Sequence, residues 1–190
     1  MKKGSAAANE RCEAEANPFH ASLQMKRVYH TYSEREKAME KLFYEDYEVG
    51  EKLRSPGRTI TETDIVMFSA FTGDWHPLHT NVEFAKKTIF GERIAHGMLT
   101  LCVGSALMFR LGMYAALPKS FIAFYGMDSV RFVGATKIGD TIRCEVEIES
   151  MEAKDDQRGV ITAKNSIKNQ REEDLVVYTT KILCGRKPKA

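Results

Sequence analysis

Apolar and polar residues change their period partway along this chain, and the change separates helices from strands. Thr61-x-x-Asp64 resembles a capping box with Asp in place of the usual Glu, and Ile65, Val66, Phe68, Ala70 and Phe71 follow before Gly73. The pattern predicts a short helix over 62–72. Pro77 suits the first turn of another helix, and a further short helix is predicted over 81–87. In GERIAHGMLTLCVGSALMFRLG no charge falls between Gly97 and Phe109, which predicts a helix buried on all sides. At 1.5 Å per residue it would span roughly 22 Å.

The second half alternates instead. Ile142, Cys144, Val146 and Ile148 interleave with Arg143, Glu145, Glu147 and Glu149, which reads as a strand with one wet face. Further β-rich runs cover 121–133, 159–169 and 175–184, separated by Gly134, the Gly139–Asp140 turn and the charged stretches 154–159 and 170–174. There is no internal repeat. One buried helix followed by sequential strands predicts an antiparallel meander, an α+β domain rather than α/β. A strand of 11 residues reaches about 36 Å, enough to curl around the helix.

Residues 1–40 are rich in Ala, Glu and Lys and lack a steady apolar period; we read them as a flexible or weakly helical extension. The organised part, 41–190, opens at KLFYEDYEVG. Hydrophobic content of 43% and charged content of 28% suit one soluble globular domain, and a formal charge of +2 argues against nucleic acid or an anionic membrane as partner. The four cysteines form no C-x-x-C pair, and no apolar signal region follows Met1. We therefore expect reduced thiols and a cytoplasmic location. The longest uncharged run, Ile94–Phe109, has 16 residues, short of the roughly 20 that a membrane helix needs.

Candidate chemistry concentrates in T-G-D-W-H-P-L-H-T-N, Thr72–Asn81. Three of the five histidines, His76, His79 and His96, fall within 21 residues. Pro77 forbids a continuous helix and pushes His76 toward an extended conformation, while Gly73 frees the backbone on the other side. A bend could bring Asp74 and His79 together as an acid–base pair. Turn capping by the same residues is the plain alternative. A metal site from Asp74, His76 and His79 is a third, although D-x-H-x-x-H lacks the i,i+4 histidines of H-E-x-x-H.

These residues carry a resemblance. T-G-D-W-H-P-L-H resembles the S/T-G-D-x-N-P-L-H signature of the MaoC-like, (R)-specific enoyl-CoA hydratases and dehydratases of the hotdog fold. The similarity continues through Phe84–Ala85, F-G-x-x-I-A-H-G-M-L at Phe90–Leu99, Gly126–Phe132 and the Ile138–Asp140 turn. It covers about residues 43–185. The resemblance implies a long central helix wrapped by a curved antiparallel sheet, with Asp74 and His79 catalytic. It also implies that the Gly97 N–H polarises a thioester carbonyl, and a helix start supplies unpaired N–H groups for that task. A serine bonding to the aspartate would be Ser105; the alternative is a core serine bonded to its own helix.

His76 stands where the family has asparagine, and one ring nitrogen could order the loop in its place. Trp75 reads as packing, with a wall of the pocket as the alternative, and His96 as a polar residue ordering the start of the helix. Arg131 and Lys137 are candidates for CoA phosphates. The resemblance implies hydration of a trans-2-enoyl-CoA or the reverse dehydration, with CoA as part of the substrate, no metal or organic cofactor, and a homodimer or higher homo-oligomer. Alternatives are a hotdog thioesterase, disfavoured because Met98–Phe109 has no carboxylate, and a non-catalytic acyl-binding subunit.

Overall fold

The computed structural model describes residues 40–189; the extension predicted for residues 1–40 lies, apart from Glu40, outside the described residues. Helix α1 is Glu62–Thr72, with the predicted bounds. The Thr61 hydroxyl accepts the Asp64 N–H at 3.4 Å while the Asp64 carboxylate accepts the Thr61 N–H at 2.8 Å. Gly73 ends the helix at φ +77°, a left-handed conformation that side chains disfavour. Two single turns follow, α2 (Pro77–Thr80) and α3 (Val82–Ala85). Asn81 separates them: its backbone is extended and its side chain caps α3 by accepting the Phe84 N–H at 3.0 Å.

The central helix α4 is Gly97–Ala106 and runs on as a 3-10 helix, Leu107–Leu111, before the short α5, Met113–Ala116. Strands are β1 (Lys52–Arg54), β2 (Arg58–Thr59), β3 (Phe121–Phe132), β4 (Thr141–Ala153), β5 (Arg158–Lys168) and β6 (Asp174–Gly185). They form one antiparallel sheet in the order β1-β4-β5-β6-β3, with β2 also on β4. The predicted meander holds for β4–β6. β3 departs from it: it pairs with β6, so the 133–140 connection crosses to the far side of the sheet. The architecture is α+β, the hotdog arrangement that the resemblance implies.

Two burial expectations are corrected. α4 is not enclosed on every side within the chain: Leu99, Thr100, Leu101 and Gly104 are buried, but Met98, Cys102, Ala106 and Phe109 form an exposed row. Their spacing of three to four residues places them on one helical face. Nor does Arg143 face water. It is 6% exposed, donating to the Asn169 carbonyl and the Glu145 carboxylate and pairing with Glu172; burial of a charge requires such partners. β1, β2 and α5 are too short to announce themselves in the pattern. Cys102, Cys144 and Cys184 are free thiols, and Cys12 lies outside the described residues. Among the described residues no helix is long and apolar enough to cross a membrane.

Gly104 lets the helix lie close against the sheet. A Cβ there would lie 2.4 Å from Ile167 Cδ1 and 2.7 Å from its Cγ1. Gly104→Ala should therefore lower stability by about 1–2 kcal/mol, overpacking exceeding the gain in helix propensity. Ile167→Val removes the nearest atom and should recover part of that loss in the double variant. Chemical denaturation of the four proteins checks this; additive single effects would place the contact elsewhere.

Candidate active site

The bend after α1 is built by its own polar residues. An Asp74 carboxylate oxygen accepts the His76 N–H at 3.2 Å, and His76 Nδ1 in turn accepts the Leu78 N–H at 3.2 Å, capping α2 with Pro77 in its first turn. The turn thus uses a histidine ring nitrogen to order the loop. The other face of His76 meets Phe84 edge-on at 5.9 Å between ring centroids.

His79, one residue before the end of α2, is anchored by its other side. Nδ1 lies 2.8 Å from the Ile94 carbonyl. A carbonyl only accepts, so Nδ1 carries the hydrogen and the neutral ring keeps its lone pair on Nε2. Ile94 is fixed by an isolated bridge to Lys137, and the neighbouring Ala95 N–H donates to the Thr136 carbonyl at 2.8 Å. The loop before β4 therefore holds the strap that orients His79.

His96 closes the cluster from the start of α4. Its ring is 3% exposed. Nε2 donates to the Asp74 backbone carbonyl at 3.0 Å and lies 3.3 Å from the hydroxyl of fully buried Ser69. The ring lies over His79 at 3.8 Å between centroids and meets Phe68, inclined by 50°, at 5.0 Å. Asp74, His79 and His96 each bring one donor atom to within 4.8 Å of the others. Burial is the main reason the His79 pKa falls below the ordinary histidine value. The Ile94 carbonyl opposes it, the neighbouring His96 and His76 add to it, and Asp74 opposes it.

Gly97 opens α4 beside this cluster. It shares a cleft of about 450 Å³ with His79, Ile94, Phe132 and Thr136. Thr100 is the first amide of the helix to find a backbone acceptor among the described residues, the His96 carbonyl at 3.1 Å. The N–H groups of Gly97, Met98 and Leu99 precede it, at the positive end of the helix. The Phe132 ring packs where a Gly97 side chain would go, with Cδ1 2.7 Å from an ideal Cβ.

Other predicted residues fall differently. Ser105 does not reach Asp74 within the chain. Its hydroxyl donates to the Cys102 carbonyl at 3.2 Å, a bond within its own helix, and it lines a different cavity. Trp75 is 54% exposed rather than packed, because the turn points it outward. His96 does more than order the helix start, since it ties α4 to the backbone of Asp74. The metal set drawn from the motif is not the one assembled: His96 takes the place of His76, whose Nδ1 serves the cap. Arg131 is exposed beside Phe132; Lys137 pairs with Glu92 next to the Ile94 strap. Neither lines the cleft, although each is next in sequence to a residue that does. Ser69 and the Ile94 carbonyl went unread in the sequence, since a helical serine and a backbone oxygen carry no motif.

Residues 46–170 match the family described as MaoC like domain. The chain belongs to that family. This MaoC-like chain is 35% identical over 109 residues to the (R)-specific enoyl-CoA hydratase of Rhodospirillum rubrum, spanning 57% of this chain and 71% of that protein. It is 37% identical over 101 residues to Protein MaoC of Klebsiella aerogenes, spanning 53% of this chain but only 29% of that much longer relative. Among solved structures, the monoamine oxidase regulatory protein from Archaeoglobus fulgius superposes with a TM-score of 0.73 at 39% identity. That match covers 78% of this chain and 97% of the other.

The depressed His79 pKa has a defined sign. The unfolded chain binds this proton near the ordinary value of about 6.5, the folded MaoC-like chain only at lower pH. Stability attached to His79 is thus full above about pH 6.5 and is lost as pH falls toward the folded midpoint. Proton NMR titration of the ring should give a midpoint below that of a free histidine. Asp74→Asn should lower it further, since Asp74 favours the charged ring. A rise on removing Asp74 would contradict this arrangement.

Proposed function

We propose that this chain catalyses addition of water to a trans-2-enoyl-CoA and the reverse dehydration of an (R)-3-hydroxyacyl-CoA, as a hydro-lyase. The observation that carries the proposal is the meeting of Asp74 and His79 beside the start of α4. Donor atoms of the two side chains lie within 4.8 Å, and His79 opens into the same cleft as Gly97. Relatives named (R)-specific enoyl-CoA hydratase and 3-hydroxybutyryl-CoA dehydratase support the reaction class.

A water between the pair donates one hydrogen bond to Asp74 and one to His79 Nε2, the nitrogen that the Ile94 carbonyl leaves unprotonated. Its oxygen lone pair is then free to attack C3. As the C3–O bond forms, the water proton passes to the pair, and the pair returns a proton to C2, so the double bond is consumed and no co-reactant is needed. Negative charge that develops on the thioester oxygen meets the Gly97 N–H and the positive helix end. A donor of this kind lowers a barrier by about 3–4 kcal/mol. His79 held neutral near physiological pH by burial is suited to accept and return a proton.

The acyl chain runs from Gly97 toward Ser105, eight residues and about 12 Å along the helix, into the apolar cavity of about 470 Å³ that Ser105 lines. Arg131 and Lys137 adjoin cleft residues in sequence at the opposite end, where CoA phosphates would lie, and no metal or organic cofactor takes part. The working unit is a homodimer. Its support is β3, the outer strand of the sheet, with Phe121, Ile122, Phe124 and Tyr125 exposed near the exposed row of α4; open apolar edges of this kind are normally covered.

Asp74→Asn and His79→Gln test the pair. Each should lower kcat for a trans-2-enoyl-CoA by at least about 100-fold, and the double variant should lose little more, because two groups on one water act as a unit. Loss of enone absorbance measures the rates. Near-normal turnover by Asp74→Asn would leave the motif as a turn cap.

A further inference from the structure

Two histidines stand at the starts of helices, and nearly the same backbone uses them differently. His76 precedes α2 at φ −54°, ψ 136°, and His96 precedes α4 at φ −59°, ψ 137°. His76 turns Nδ1 onto its own helix and accepts the Leu78 N–H. His96 makes no such cap. Its Nδ1 is buried and has no hydrogen-bond partner among the described residues. Its Nε2 instead reaches 22 residues back, to the Asp74 carbonyl at 3.0 Å, with the Ser69 hydroxyl at 3.3 Å. A carbonyl only accepts, so the ring hydrogen is on Nε2 and Nδ1 keeps its lone pair.

A bare side-chain acceptor at the start of a helix ordinarily takes one of its first N–H groups, a bond that stabilises the helix. His96 forgoes it. The first N–H groups of α4 therefore have no cap from the side chain that precedes them, and Gly97 opens on the cleft that also holds His79. What the ring holds instead is a residue with few other ties. Asp74 follows the left-handed Gly73, and its side chain is about half exposed. Among the described residues its carboxylate accepts only the His76 N–H of its own turn. The ring of His96 also lies over that of His79, at 3.8 Å between centroids. It thus touches both members of the pair from the helix that presents Gly97.

We infer that His96 is a positioning residue for the reaction. Its Nε2–H holds Asp74 within reach of the water shared with His79, and its Nδ1, which does not cap α4, leaves the first N–H groups of that helix to the substrate carbonyl. The inference rests on the hydratase reading proposed above and adds a residue to it. It separates from a role in ordering the helix start through two similar side chains. Glutamine carries its amide nitrogen at about the place of Nε2, whereas asparagine, shorter by a methylene, carries its amide at the level of Nδ1. Asparagine is also among the best N-cap residues. A side chain that only orders the helix is replaced best by asparagine; one that holds Asp74 is replaced best by glutamine.

The test sets His96→Gln against His96→Asn in the full-length chain, with kcat for a trans-2-enoyl-CoA taken per folded molecule. The asparagine variant should lose about 100-fold in kcat through misplacement of Asp74, and the glutamine variant should stay at least about ten-fold above it. KM should be similar in the two, because His96 lines neither the cleft nor the acyl cavity. Equal kcat in the two variants, or the higher value for asparagine, would overturn the inference. A second measurement needs neither a variant nor turnover. Heteronuclear NMR of the unaltered chain should show the His96 ring proton on Nε2 and a bare Nδ1; a proton on Nδ1 would overturn the inference whatever the rates. If the unaltered chain turns over no enoyl-CoA, the hydratase reading fails by itself, and the ring spectrum still decides whether His96 holds Asp74.

Discussion

Asp74 and His79 lie five positions apart, and an unbroken helix would aim their side chains about 140° apart. The site therefore depends on where and how the chain is broken. Gly73 takes the left-handed conformation that ends α1, and the His76 ring caps a new helix one turn long that begins at Pro77. Neither break would hold a geometry alone. His96 supplies the constraint, binding the Asp74 carbonyl from the start of α4 and lying over the ring of His79. The bend is thus fastened to the same helix end that presents Gly97.

The remainder of the fold keeps that helix end in place. Gly104 lets α4 settle onto Ile167 of the sheet, and the loop before β4 pins Ala95 through the Thr136 carbonyl and Ile94 through its bridge to Lys137. Asp140, 3% exposed, holds that loop by accepting the Lys137 N–H at 2.9 Å as well as Arg171 and Gln170 side chains. The path from the sheet to the His79 ring is short: Asp140 fixes Lys137, Lys137 fixes Ile94, and the Ile94 carbonyl decides which nitrogen of His79 is free. Electrostatics then follow from packing, since burial between the helix start and the strap is what depresses the His79 pKa.

Much of this could be read from the residues because local rules governed it. The α1 capping box and Gly73 stop fixed both helix ends, alternation located β4, and the turn-rich and charged stretches around two β-rich runs located β5 and β6 within a few residues. What escaped depended on distant contacts. Periodicity gives a strand but not its neighbour, so β3 was read into a meander although it pairs with β6. Alternation placed Arg143 in water, whereas Glu145, Glu172 and the Asn169 carbonyl make its burial tolerable. Apolar composition cannot tell a helix buried by its own chain from one with a face left for another surface, hence the exposed Met98–Phe109 row. At the site, the motif marked Asp74 and His79 as candidates, and of the two readings of Ser105 the structure has the serine bonded to its own helix. The roles of Ser69 and the Ile94 carbonyl had no signature to read.

The central claim is that one water, held by Asp74 and His79 on one side of a substrate whose carbonyl meets Gly97, adds to C3 of an enoyl thioester. Stereochemistry tests it most directly, because a water fixed on one face can give only one enantiomer. Crotonyl-CoA should be converted to 3-hydroxybutyryl-CoA, and chiral chromatography of the released acid should show the (R) form alone. The (S) form, or a racemic product, would contradict the account.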